Sequence, residues 1–196
     1  GLAGAAAARA LAERGLRVTV LEQAGDLVRR GYKVYQLNPL DLASSIGFNP
    51  LSQAQTFPEM QEVAHILVRT ANHGAKTDPF WLQGAEEIMG ILIKCLKNHP
   101  EANRYANMAN LLYLLQGFGD GSALLPFVAS CAPDDATYHA FKGFTSQADK
   151  TLQGHLSQAK ASLSILADPD IARLTARSTF DFEALRSEKT ALFLVF

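Results

Sequence analysis

Three residues near the start of the chain have the types and spacing for dinucleotide chemistry. The sequence opens GLAG, so Gly1 and Gly4 fit the second and third glycines of the pattern G-x-G-x-x-G. Gly1 would let backbone approach a pyrophosphate, and the N-terminus of the helix that follows would face its charge. Glu22 comes 18 residues after Gly4, at the end of the β-branched run RVTVLE. An acceptor for a ribose hydroxyl belongs there. The bland reading of the same residues is an alanine- and glycine-rich helix with a surface glutamate, and both stay open. Under the first, the chain is a truncated FAD- or NAD-binding oxidoreductase with a Rossmann glycine loop at Gly1–Gly4.

Elsewhere the chemistry is sparse. No G-x-x-x-x-G-K-[ST] occurs, so no loop supplies the lysine and hydroxyl that hold phosphates and Mg²⁺. No nucleophile–His–acid arrangement emerges, and no residue is assigned a catalytic role. His65, His73, His99, His139 and His155 show no metal-ligand spacing and read as surface or capping residues. Trp81 reads as a packing anchor rather than a base-stacking platform. Asp78 and the pair Asp134-Asp135 read as helix caps. Lys142, Lys150, Lys160, Arg173 and Arg177 read as a solvated face, with a weak phosphate-contact face as the alternative.

The elements that must position these residues change character along the chain. Ala3–Arg14 predicts a helix stopped by Gly15, and Arg17–Glu22 a strand. Asp26–Arg30 predicts a short helical piece closed by Gly31, and Lys33–Asn38 a second strand. The stretches RGLRVTVLEQ and RGYKVYQLNP look alike because each carries a parallel strand entered from a glycine turn; they need not be a repeat. The two Asn-Pro pairs in NPLDLASSIGFNPLSQ favour turns over helix. Helices then dominate. Phe57–Ala71 places Met60, Val63, Ala64, Leu67 and Val68 on one face. Asp78-Pro79 opens a long helix to about Asn98, with a stripe of Trp81, Ala85, Ile88, Met89, Leu92 and Leu96. Ala106–Gln116, Ser122–Ala132, Asp134–Phe144, Ser146–Leu166, Asp168–Thr175 and Phe182–Arg186 follow as helices, and Thr190–Phe196 returns to strand.

Composition bounds the class. At 48% hydrophobic and 19% charged the chain is globular, and a net charge of −1 provides no basic field for strong nucleic-acid binding. Weak or no DNA binding is expected of this piece alone. Cys95 and Cys131 fit no ligand or redox motif. The longest apolar run, IMGILIKCL, is about half of what a membrane helix needs, so no transmembrane segment is expected. The opening on a glycine turn and the stop in TALFLVF read as a fragment of something longer.

The stretch GLAGAAAARALAERGLRVTVLEQ resembles the start of an FAD-dependent oxidoreductase. From about Gly25 to Phe196 the chain resembles a different family. GYKVYQLNPLD, GFNPLS, DPFWLQGAEEIM and TLQGHLSQAKASLSILADPDIARLTARSTFDFEALRSEKTALFLVF are similar, in order, to the TraG/TraD-type coupling proteins of conjugation and type IV secretion. The two resemblances meet at about Gln23–Gly31, which points to a degenerate N-terminal half or a hybrid sequence. The second implies an α/β fold, a fragment of a RecA-like parallel-sheet ATPase domain with an inserted all-α domain. The implied division is 1–56 in the nucleotide-binding domain, 57–178 in the all-α insertion and 179–196 back in the sheet. It implies a ring homo-oligomer on the cytoplasmic side of the bacterial inner membrane that uses ATP and Mg²⁺. That ring delivers a relaxase–DNA complex or protein to a secretion channel. The family's D-P-K-G-E-L strand end has a counterpart only in LEQAGDL, where Glu22 replaces the aspartate and Ala24 the lysine. The metal-binding carboxylate pair would come after Phe196. The segment alone is therefore expected not to hydrolyse ATP.

Overall fold

The computed structural model describes residues 24–117, 121–131 and 135–195. They are mostly helical, with one small parallel sheet, and they fall into two units. Asn49–Arg177 forms the helical unit, and the residues flanking it in sequence form the other. The strand expected at Arg17–Glu22 and the helix at Ala3–Arg14 lie outside the described residues.

The described part of the flanking unit starts with a helical stretch at 24–29. Its end is set by Gly31, whose φ of +82° only glycine adopts cheaply. Tyr32 N–H donates to the Leu27 carbonyl at 3.0 Å and Gly31 N–H to the Val28 carbonyl at 2.9 Å, the paired bonds of a Schellman stop. Strand β1, Lys33–Leu37, pairs in parallel with β2, Thr190–Leu194, in a register running from Lys33↔Thr190 to Leu37↔Leu194. The other side of β1 is not left bare, since Ile46 N–H donates to the Gln36 carbonyl at 2.8 Å. Behind the strands Phe180 is buried between Tyr35 and Phe182, at ring-centre distances of 4.8 and 5.1 Å.

In the helical unit, α1 (Pro50–Gln53) departs from the turn expected of the second Asn-Pro pair. Asn49 is the reason. Its buried side chain accepts the Leu51 N–H at 3.1 Å and donates to the Ala106 carbonyl at 2.7 Å, so the proline sits where a helix tolerates one. Helix α2, Phe57–Ala71, starts in a capping box. Thr56 Oγ1 faces the Glu59 N–H, while Glu59 Oε2 accepts the Thr56 and Gln55 N–H groups, both at 2.8 Å. Met60, Ala64 and Val68 are buried, and Val63 and Leu67 pack half-buried against the core.

Helix α3, Pro79–Asn98, is the hub. Every residue from Ile88 to Leu96 is buried except Lys94, which is why this stretch reads as apolar almost all round. Lys94 is tolerated because its stem lies along apolar surface while its ammonium donates to Thr137 Oγ1 at 2.7 Å and sits 4.4 Å from the Phe57 ring centre. Around α3 pack α2 and the helices that follow: α4 (Ala102–Tyr105), α5 (Met108–Gly117), α6 (Gly121–Cys131), α7 (Asp135–Thr145) and α8 (Asp149–Ser162). A 3-10 turn, Ser164–Ala167, and α9, Pro169–Leu174, close the unit. Helix α10, Ala184–Ser187, precedes β2 in the flanking unit.

The helix expected at Ala106–Gln116 is α5, which starts two residues later because Asn107 Oδ1 accepts the Asn110 N–H at 3.0 Å. One expected helix is interrupted. Ser146–Leu166 becomes α8 and the 3-10 turn, with Leu163 N–H reaching back to the Lys160 carbonyl at 3.1 Å. No described helix is long and apolar enough to cross a membrane.

Candidate functional site

Gly1, Gly4 and Glu22, which carry the dinucleotide reading, lie outside the described residues. Among the described residues no group of three or more His, Cys, Asp or Glu side chains could hold a metal ion. Asp78 caps α3, accepting the Phe80 N–H at 2.9 Å. Asp134 lies outside the described residues, and α7 starts at Asp135. Lys142, Lys150, Arg173 and Arg177 are exposed and Lys160 is half-buried; Arg173 pairs with Asp170 at 2.7 Å.

The histidines divide. His99 is the C-cap of α3, and His73 and His139 are exposed. His65 Nδ1 lies 3.2 Å from Glu86 Oε2, while Arg69 Nε donates to the other oxygen at 2.6 Å. That clamp ties α2 to α3 and brings no nucleophile with it. His155 departs from the surface or capping role expected of it, being only 2% exposed. Gly84 on α3 makes the room: a methyl group there would overlap the His155 ring. The contact is reciprocal, because Trp81 on α3 lies over Gly154 on α8 in the same way. Phe80, Trp81 and Phe144 surround the histidine ring at 4.9, 5.3 and 5.9 Å. Trp81 is thus a packing anchor, and His155 Nδ1 has no hydrogen-bond partner among the described residues.

At the other end of α3 the unit opens into a cavity of about 450 Å³, within the range of small-ligand sites. Leu96 and His99 come from the end of α3, Glu101 from the turn after it and Tyr105 from α4. Asn110, Tyr113 and Leu114 come from α5, and Phe127 from α6. The break at Asn107 shapes it, turning Tyr105 and Tyr113 toward one mouth from two separate helices. His99 Nδ1 accepts the Glu101 N–H at 3.1 Å, and its ring stands edge-on to Tyr105 at 5.3 Å. Tyr113 is 72% exposed. Apart from His99, none of these lining residues stood out in the sequence as a candidate for chemistry. The available signal was Tyr113 itself, a large aromatic side chain in a short helix of small and apolar residues.

Among the described residues three groups depart from their ordinary protonation range. Backbone N–H donors from Thr56 and Gln55 hold the Glu59 carboxyl below it. Burial pushes the Lys97 ammonium down, opposed by Glu59, while its Nζ donates to the Leu51 carbonyl at 3.1 Å. In the flanking unit the hydrogen bond and charge of Glu188 raise Lys33. All three serve local structure, and none lines the cavity.

Against protein families, residues 28–196 match the one described as type IV secretory system conjugative DNA transfer. No curated protein matches the chain.

Proposed function

This chain belongs to the type IV secretory system conjugative DNA-transfer family, and we propose that it is part of a coupling-protein ATPase. In that reading the parent protein recruits relaxase–DNA or protein substrates to a type IV secretion or conjugation channel. The observation that carries it is the match over residues 28–196. The order of the chain supports it: β1 and β2 are hydrogen-bonded neighbours, and the whole of Asn49–Arg177 lies between them in sequence. The flanking residues are then part of a RecA-like nucleotide domain, and the helical unit is an all-α domain inserted in it that acts in substrate docking. The parent would act as a ring homo-oligomer at the cytoplasmic face of the bacterial inner membrane.

ATP and Mg²⁺ belong to that parent, but the residues present do not fit them. The chain has no lysine–hydroxyl phosphate loop, so no nucleotide step is assigned to these residues. The purified chain is expected to show no ATP hydrolysis above a buffer control in a phosphate-release assay. Turnover in the range of ordinary enzymes, roughly 1 s⁻¹ or more, would remove that expectation.

The functional reading is tested in donor cells. Deleting the segment that encodes residues 49–177 from the intact reading frame should abolish plasmid transfer in a mating assay while leaving donor growth unchanged. Transfer at the parental frequency, with the truncated protein detected by blot, would overturn it.

A further inference from the structure

The cavity at the end of α3 has a chemistry of its own. Tyr105, Tyr113 and Phe127 give it aromatic walls, and Glu101 supplies a carboxylate. No lysine or arginine is among its described lining residues. Aromatic faces carry negative potential, so walls and carboxylate act with the same sign. The Glu101 carboxylate has an ionic neighbour in Arg104, whose Nη1 lies 3.7 Å from Oε2. That distance is beyond a hydrogen bond. The Arg104 side chain is 75% exposed, and its guanidinium carbon lies 5.3 Å from the Tyr105 ring centre. The chain's own guanidinium thus stands at the rim, loosely held by the carboxylate and ring that line the cavity.

We infer that this cavity takes a guanidinium-bearing side chain from a peptide, with Arg104 as a displaceable internal stand-in. The cation would lie between Glu101 and the tyrosine rings, and the volume leaves room for an apolar neighbour against Leu114 and Phe127. A nucleic-acid backbone is disfavoured, since its phosphates would meet a carboxylate and aromatic faces with no lysine or arginine among the described lining residues. The assignment of this peptide to the protein part of the transferred cargo rests on the function proposed above; the binding chemistry does not.

The test uses the whole chain, isotope-labelled, titrated by NMR with N-acetyl-arginine methylamide, its uncharged citrulline counterpart and adenosine monophosphate. The arginine compound should give saturable shifts at the backbone amides of Glu101, Asn110 and Tyr113, and the other two should not. Glu101→Gln should weaken binding about fivefold, the loss of one ion pair, with the ring contacts left in place. Arg104→Gln should tighten it by about threefold by removing the internal competitor. Both positions are exposed, so neither change endangers the fold. An equal response to citrulline, a preference for the nucleotide, no saturable shift, or weaker binding in Arg104→Gln would each overturn the inference. The mating assay separates the two proposals. Loss of transfer on deleting residues 49–177, with no arginine binding, removes the pocket and leaves the function. Arginine binding with transfer unchanged does the reverse.

Discussion

A methyl group on Gly84 would overlap the His155 ring, and one on Gly154 would overlap the Trp81 ring. Each glycine therefore receives a ring from the opposite helix, and the close approach of α3 and α8 depends on both. Gly84→Ala and Gly154→Ala should each destabilise the protein by about 1–3 kcal/mol, the usual cost of forcing extra volume into packed structure. Gly143 on α7 is the control, because an added carbon there meets nothing within 4 Å. Gly143→Ala should stabilise by roughly 0.5–1 kcal/mol through helix propensity alone. Urea unfolding of the three variants decides it, and equal midpoints for all three would show that the glycines do not govern the contact. At this scale the sequence was only partly legible. Trp81 could be read as an anchor from its place at the start of an apolar stripe. His155 could not be read as buried, because what buries it is an absent side chain 71 positions earlier, at Gly84.

Elements were more legible where the signal is local. Phe57–Ala71 and the start of α3 at Asp78-Pro79 follow directly from capping chemistry and periodicity. The break at Leu163 did not, since the 3-10 hydrogen bond from its N–H to the Lys160 carbonyl ends the helix inside a pattern that reads as continuous. The cap on α2 invites a direct measurement. Thr56→Ala should cost about 1 kcal/mol by leaving a helix N–H without its acceptor. The other half of the box is pH-dependent. The Glu59 carboxyl is held below its ordinary value near 4.5 in the folded state. Its contribution is therefore present above that value and lost as pH falls through the lower, folded value. Glu59→Gln keeps a capping side chain without the titration. Its urea midpoint should fall less steeply than the parent's below pH 4.5; parallel curves would remove Glu59 as a source of acid sensitivity.

For the molecule as a whole, Asn49–Arg177 has the attributes of an independent folding unit. Its buried residues form one cluster drawn from α2, α3 and the helices around them. Limited proteolysis of the intact chain should therefore leave a resistant piece bounded near residues 49 and 177. Expressed alone, that piece should melt cooperatively with a helical circular-dichroism signal. A broad, non-cooperative melt would contradict it. The cavity could not be seen in the sequence, because its lining comes from α3, α4, α5 and α6, brought together only by packing.

The pairing of β1 with β2 has a consequence for synthesis. The end of β1 at Leu37 and the start of β2 at Thr190 are separated by 152 residues. At about 5–20 residues per second, the ribosome would need roughly 8–30 s to supply β2 after β1 has been made. For that interval KVYQL is a strand without its partner, with apolar residues on both faces and an unsatisfied edge. The helical unit, built from contacts nearer in sequence, can fold in the meantime. The β1 segment is therefore where a nascent chain of this family would most need shielding, and slowed translation between codons 38 and 189 should raise the yield of aggregated protein.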